Sequence, residues 1–119
     1  MDIAFLQHEA WKTAQAKGHH AALVHLDQRS ATLVRLALIH TEVSEATQEV
    51  KRHGVDDAIV RKRIVCELAD VLVRCAELAA LLGEDLDAAV IAVLAKNEQR
   101  PYQYGTPGEQ TCPSPCLTS

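Results

Sequence analysis

Four carboxylates on two predicted helices form the group of side chains in this sequence that is best suited to chemistry. Glu42 and Glu45 lie three residues apart, and Glu67 and Asp70 repeat that spacing after twenty-one intervening residues. Residues three apart share one face of a helix, so each pair presents two carboxylates side by side. If the two helices pack together, four carboxylates meet around one point. Such a set of oxygen ligands suits Mg²⁺ or Mn²⁺.

Other residue types near these pairs narrow the choice of metal. No His or Cys stands at matching positions, which disfavours Zn²⁺, and the Glu-x-x-His motifs of di-iron bundles do not occur. A site that is already acidic binds Mg²⁺ together with a substrate that brings its own negative oxygens, as phosphates do. The structural alternative is an ion-pair network in which Arg63, Arg74 and Arg35 neutralise the carboxylates.

The second helix, predicted from Ser30 to His53, carries the first pair. Glu42, Glu45 and Glu49 form an acidic band along it, where like charges repel by a few tenths of a kcal/mol. An apolar stripe runs beside this band. The stripe contains Leu36, Ile39, Val43, Ala46 and Val50.

The third helix, predicted to start after Asp56 or Asp57 and to end at Leu82, carries the second pair. It is apolar around most of its circumference, a pattern typical of a buried helix. One narrow strip is charged and contains Arg63, Glu67, Asp70, Arg74 and Glu77. Carboxylates on a buried helix cost free energy unless they are paired or bind a metal. A very short loop at Gly54 makes the second and third helices antiparallel neighbours, so their acidic pairs can face each other.

Length and composition predict one all-α domain. The 119 residues fit a single domain, and 48% of them are hydrophobic while only 3% are aromatic. Two further helices are predicted at about residues 2–17 and 85–99, and a short helical turn could form at residues 21–24. We expect a four-helix, bundle-like domain at residues 1–104 that dimerisation completes. A flexible tail rich in Pro, Ser and Thr follows at residues 105–119.

Charge and segment patterns limit the partners. The formal net charge of −4 argues against a nucleic-acid interface, which would need a basic patch. The sequence has no targeting segment and no apolar run long enough to cross a membrane, so we expect a soluble cytoplasmic protein. Cys66 and Cys75 are expected to be small buried apolar groups on different sides of one helix. A disulfide or half a metal site between Cys112 and Cys116 is disfavoured because no neighbouring ligand pair completes it.

The acidic pairs also resemble a known family. Glu42-Val-Ser-Glu45 and Glu67-Leu-Ala-Asp70 resemble the E-x-x-E…E-x-x-D signature of the MazG-like, all-α nucleoside triphosphate pyrophosphohydrolases. Gly83-Glu-Asp-Leu86-Asp-Ala-Ala-Val90 is similar to the start of that family's fourth helix, and Asn97-Glu-Gln-Arg100-Pro101 to its N-x-x-R-P ending. The resemblance covers roughly Phe5 to Gly105.

This resemblance implies a Mg²⁺-dependent hydrolase, in which Mn²⁺ can substitute, that splits a nucleoside triphosphate into the monophosphate and pyrophosphate. The metal ligands would be Glu42, Glu45, Glu67 and Asp70, with Glu49 as an extra ligand, and one carboxylate would activate the attacking water. Lys96, Asn97 and Arg100 would contact phosphates. The sequence departs from the family at Val93, where many members have a Lys, and Lys96 would take the place of that residue.

Base recognition and assembly are also expected from the resemblance. His8, Trp11 and His19 are the candidates to contact the base, and Tyr102 and Tyr104 could close over the substrate. We expect a homodimer or a dimer-of-dimers tetramer, and a role in cleansing the nucleotide pool. Two alternatives stay open: hydrolysis of a related compound such as phosphoribosyl-ATP, and a non-catalytic helical dimer that regulates a partner.

Overall fold

The computed structural model of the chain describes residues 1–101. These residues form four α-helices, α1 (Ile3–Ala16), α2 (Gln28–His53), α3 (Ala58–Leu81) and α4 (Leu86–Gln99), and no strand. A single 3₁₀ turn (Ala21–Leu23) follows α1. The prediction of an all-α fold with four helices is therefore confirmed, as is the short helical turn. The predicted tail, with Cys112 and Cys116, lies outside the described residues, and so do Tyr102 and Tyr104.

An aspartate precedes each of the four helices and caps it. The carboxylate of Asp2 accepts a hydrogen bond from the Phe5 amide at 2.7 Å. Asp57 and Asp85 bond in the same way to first-turn amides of α3 and α4. The fourth cap, Asp27, accepts from the Ser30 amide, so α2 begins two residues before the predicted start at Ser30. Such bonds satisfy amides that have no partner within the helix.

The turn between α2 and α3 makes the two helices antiparallel. Gly54 ends α2 with φ of 69° and ψ of −155°, a conformation that side chains disfavour. Across the pair, Glu42 bonds to Arg74, and Glu49 lies near Arg63, about two turns further along α2 and three turns back along α3. The residue numbers therefore rise along α2 as they fall along α3. This register brings the acidic band of α2 to the charged strip of α3.

The chain divides into two compact units, Met1–Glu84 with α1 to α3 and a second unit that begins at Asp85 and contains α4. In the first unit α3 packs against both α1 and α2. The buried side chains are mostly alanines, joined by Val60 and Leu78, and no large side chain of the described residues is fully buried. The expectation that α3 is buried is wrong for the single chain, because Val65, Leu68 and Leu72 remain about half exposed. The expected burial of Cys66 on the same helix is wrong as well, since this residue is exposed.

Within residues 1–101, no helix combines the length and the apolar character needed to cross a membrane.

Candidate metal centre

Three of the four predicted carboxylate ligands meet between α2 and α3. Glu42 projects from the middle of α2, and Glu67 and Asp70 project from successive turns of α3. One carboxylate oxygen from each residue lies within 4.8 Å of the others. Among the described residues, this is the one group of three or more side chains arranged to hold a metal ion.

The surroundings of Glu67 disfavour the ionised form of its carboxyl group. Burial raises its pKa above the ordinary value, and the neighbouring carboxylates of Glu45, Asp70 and Glu42 raise it further. The residue as a whole is only partly buried, but its Oε2 atom is inaccessible and no N–H or O–H group of the described residues donates to it; a hydrogen bond with Glu45 forms only when one of the two carboxyl groups is protonated. An ionised carboxylate oxygen without a partner is unfavourable, and a bound cation would supply the missing interaction.

Glu42 has a protein partner. The Arg74 Nε donates to its Oε1 at 2.8 Å, and the side chain of Glu42 is only 13% exposed. This charge-assisted hydrogen bond neutralises one of the clustered carboxylates. It is also one of the ion pairs that the structural alternative predicted. Arg74 therefore offsets part of the repulsion, while the charges of Glu45, Glu67 and Asp70 remain uncompensated by it.

Glu45 and Glu49 lie outside the group formed by Glu42, Glu67 and Asp70, and their surroundings differ from each other. Glu45 is exposed and lies outside the three-oxygen group, yet it is close enough to raise the pKa of Glu67. Glu49 has its Oε2 at 3.8 Å from the Arg63 guanidinium and 4.0 Å from the His53 ring. The surroundings of Glu49 are those of an ion pair, and its role as an extra ligand stays a prediction.

The donor set fits a hard divalent cation. All the converging atoms are carboxylate oxygens, which Mg²⁺ and Mn²⁺ prefer, and no His or Cys of the described residues joins the group. The unpartnered Oε2 of Glu67 leaves an interaction that such an ion would fill. The arrangement can therefore hold one cation directly, with Glu45 beside it.

The predicted phosphate contacts lie in the second unit. Lys96 and Asn97 are in the last turn of α4, and Arg100 caps that helix, with its amide donating to the Asn97 carbonyl at 3.3 Å. Asn97 and Arg100 are exposed, and Lys96 is partly buried. Within α4, the three polar side chains are thus grouped at one end of one helix. Their contact with phosphate stays a prediction.

The residues predicted to contact the base do not all line the same cavity. His8 and Trp11 are exposed on α1, and the Trp11 ring packs at 5.8 Å from the ring of His20. His19 instead lines a cavity of about 280 Å³ in the first unit. Of the three candidates, only His19 is among the residues described as lining that cavity.

Sequence reasoning did not assign a ligand-binding role to two charged residues in the same cavity. Arg35 and Glu77 both line it, together with Arg74. Glu77 belongs to the charged strip of α3, and its spacing of seven residues from Asp70 was the signal that could have drawn attention to it. No comparable pattern singles out Arg35.

Comparisons of the chain with protein-family models, with curated proteins and with solved structures found no match.

Proposed function

We propose that this protein is a Mg²⁺-dependent hydrolase that converts a nucleoside or deoxynucleoside triphosphate to the monophosphate and pyrophosphate. The observation that carries the proposal is the meeting of Glu42, Glu67 and Asp70 within 4.8 Å, with a buried Glu67 oxygen that lacks a partner. The resemblance of both acidic pairs to the MazG-like family supports the same reaction. Nucleotide-pool housekeeping is the role that we propose for it.

The electrostatics favour a cation at this position over an empty acidic cluster. Like charges at such distances repel strongly when the surroundings are partly desolvated. Arg74 supplies one positive charge against at least three negative ones. A divalent ion would offset the remainder and would attract a triphosphate that could not otherwise approach four carboxylates.

The positions of the side chains support the following assignment of roles. A bound Mg²⁺ supplies a Lewis acid that polarises phosphoryl oxygens and neutralises developing charge. Glu42, Glu67 and Asp70 would hold the ion. Glu45 is exposed beside them, so we assign it the role of accepting a proton from the attacking water. The water oxygen bonds to one phosphorus of the α–β anhydride, the bond from that phosphorus to the bridging oxygen breaks, the bridging oxygen keeps the electron pair, and the products are the monophosphate and pyrophosphate.

The proposal also includes residues that bind the phosphates and an oligomeric state. Lys96, Asn97 and Arg100 would bind the triphosphate through cationic and amide groups. A homodimer, or a tetramer built from two dimers, would cover the apolar side chains that α2 and α3 leave exposed. No nucleic-acid or membrane partner belongs to this proposal.

One observation favours a second candidate function. The Arg74–Glu42 hydrogen bond and the proximity of Arg63 to Glu49 are two ion pairs of the kind expected in a structural network. A non-catalytic helical dimer that regulates a partner would keep these pairs for stability alone. Such a protein would bind no cation at the cluster and would hydrolyse no nucleotide.

The test measures products from purified protein with each common NTP and dNTP, with and without Mg²⁺. Pyrophosphate and orthophosphate are assayed separately. A Glu42→Gln, Asp70→Asn variant removes two ligands, and a Glu84→Gln, Asp56→Asn variant removes the same charge from exposed sites. We expect Mg²⁺-dependent pyrophosphate release that falls at least a hundredfold in the first variant and stays near wild type in the second.

The other outcomes separate the alternatives. Orthophosphate release would place cleavage at another bond and reject the pyrophosphohydrolase assignment. Turnover of phosphoribosyl-ATP in preference to every NTP would move the assignment to that related activity. No turnover, no Mg²⁺ binding by calorimetry and a folded double variant would support the regulatory dimer.

A further inference from the structure

Arg74 lies on the same strip of α3 as two of the candidate metal ligands. Glu67, Asp70 and Arg74 follow one another at spacings of three and four residues, which place side chains on one face of a helix. The guanidinium of Arg74 reaches α2, where its Nε donates to Oε1 of Glu42 at 2.8 Å. One strip of α3 therefore carries two candidate ligands and the positive charge that contacts the third.

This hydrogen bond gives the two carboxylate oxygens of Glu42 different surroundings. Oε1 accepts from a charged donor, whereas Oε2 is further along the carboxylate from that bond. The side chain of Glu42 is 13% exposed and that of Arg74 is 35% exposed, so solvent screens the pair only in part. A metal ion at Oε1 would lie close to the guanidinium and would be repelled by it. Oε2 is therefore the oxygen of Glu42 at which a metal ion is less strongly repelled.

Divalent cations differ in how many oxygens they take from a carboxylate. Mg²⁺ is small, requires nearly octahedral geometry and usually keeps several waters beside one or two carboxylates. Ca²⁺ is larger, takes about six to eight oxygen ligands and readily binds both oxygens of one carboxylate. A carboxylate that offers a single oxygen therefore favours Mg²⁺ relative to Ca²⁺.

We propose that Arg74 makes the carboxylate cluster selective for Mg²⁺ over Ca²⁺, because it limits Glu42 to one coordinating oxygen. The proposal rests on the hydrolase function above in that it uses the same cation site. Arg74 acts on the ion through Glu42, so it is a positioning residue. An ion pair with a purely structural role would change the stability of the fold and leave the preference between the two ions unaltered.

The first experiment measures cation binding without catalysis. Isothermal titration calorimetry of the metal-free protein with Mg²⁺ and with Ca²⁺ gives the ratio of the two dissociation constants. Arg74→Gln removes the positive charge, so both ions should bind more tightly to this variant. We expect the affinity for Ca²⁺ to rise at least about tenfold more than the affinity for Mg²⁺, because Glu42 can then offer both oxygens. Circular dichroism checks that the variant is folded.

Two further variants control the calorimetry. Lys62→Gln removes the same charge from an exposed position on α3 and should keep the wild-type ratio. Arg74→Lys keeps a positive charge and N–H donors next to Glu42, so its ratio should stay within about threefold of wild type. An unchanged ratio in Arg74→Gln would overturn the proposal, and so would the same shift in either control.

Infrared spectroscopy tests the coordination of Glu42 in wild type, without a substitution of Arg74. The antisymmetric and symmetric stretching bands of a carboxylate lie closer together when both oxygens bind one ion. Subtraction of the spectrum of Glu42→Gln isolates the bands of Glu42. We expect these bands to be widely separated with Mg²⁺ and with Ca²⁺. A narrow separation in wild type with Ca²⁺ would show bidentate binding and would overturn the proposal.

Turnover separates this proposal from the proposed hydrolase. If Arg74→Gln shifts the ratio towards Ca²⁺ but wild type releases no pyrophosphate from any NTP or dNTP, the role of Arg74 stands and the hydrolase fails. If wild type releases pyrophosphate with Mg²⁺ but Arg74→Gln leaves the ratio unchanged, the hydrolase stands and the role of Arg74 fails.

Discussion

At the scale of single residues, Glu67 links protonation and cation binding to the stability of the fold. Its raised pKa means that the folded chain favours the protonated carboxyl more than the unfolded chain does. Without a cation, ionisation of Glu67 therefore destabilises the fold. That penalty is absent well below the ordinary pKa of 4.5 and develops as pH rises through the higher pKa of the folded state. A cation at the cluster reverses the effect because it binds the ionised form.

Glu67→Gln should accordingly stabilise the metal-free protein at neutral pH. We expect a higher melting temperature than wild type in EDTA at pH 7, with a difference that shrinks as pH falls towards 4.5. Thermal unfolding followed by circular dichroism between pH 4.5 and 8 measures it. Addition of Mg²⁺ should raise the melting temperature of wild type and not that of the variant. A variant less stable than wild type at every pH would contradict this account of the cluster.

Arg74 allows a second test at the same scale, because its partner Glu42 is largely buried. Arg74→Gln leaves that carboxylate with a weaker partner and should reduce the free energy of unfolding by about 1 kcal/mol in EDTA. With Mg²⁺ the loss should be smaller, since the ion would compensate Glu42. Lys62→Gln, an exposed change of equal charge on the same helix, is the control. An identical loss with and without Mg²⁺ would show that the cation does not reach Glu42.

At the scale of helices, local signals in the sequence were sufficient for most of the fold. The aspartates before α1, α3 and α4, and the glycine after α2, are strong helix signals and predicted those boundaries. Asp27 was missed because Ser30 is an equally good cap by residue type. The meeting of Glu42 with Glu67 and Asp70 could also be predicted, since helical spacing and one short turn fix it.

The pairing of charges could not be predicted from those local signals. Arg35, Arg63 and Arg74 were equivalent candidates to neutralise the carboxylates, because their partners depend on the register of α2 against α3. In the structure Arg74 bonds to Glu42, Arg63 lies near Glu49, and Arg35 lines the cavity instead. The cavity itself depends on where the segment after α1 packs, which the sequence pattern did not specify.

The turn that sets this register provides a prediction about α2 and α3 together. Gly54→Ala should lower the free energy of unfolding by about 1–3 kcal/mol, because φ of 69° with ψ of −155° is essentially restricted to glycine. An added Cβ would meet no atom within 4 Å, so the backbone conformation alone accounts for the loss. Urea unfolding measures it, with Val55→Ala, in the same turn, as the control. A loss below about 0.5 kcal/mol would mean that the turn adopts another conformation at little cost.

At the scale of the whole molecule, the main unfavourable feature of the single chain is that many large apolar side chains remain exposed to solvent. Three positions seven residues apart on α2, Leu36, Val43 and Val50, are 42%, 47% and 40% exposed. On α3, Val65, Leu68 and Leu72 form a second stripe with spacings of three and four residues. Stripes of this kind pack against other helices in helical assemblies. The buried side chains of the described residues are mainly alanines, which contribute little to stability.

Self-association through the α3 stripe is therefore the prediction at this scale. Sedimentation velocity should show at least a dimer for wild type at micromolar concentration. Leu72→Glu, at a side chain 49% exposed in the single chain, should weaken the association at least tenfold, because a buried unpaired carboxylate would oppose it. Val55→Glu changes an equally exposed position in the α2–α3 turn and should leave the dimer intact. A monomeric wild type would refute the prediction, whereas a dimer that survives Leu72→Glu would place the interface on another face, with the α2 stripe of Leu36, Val43 and Val50 as the next surface to substitute.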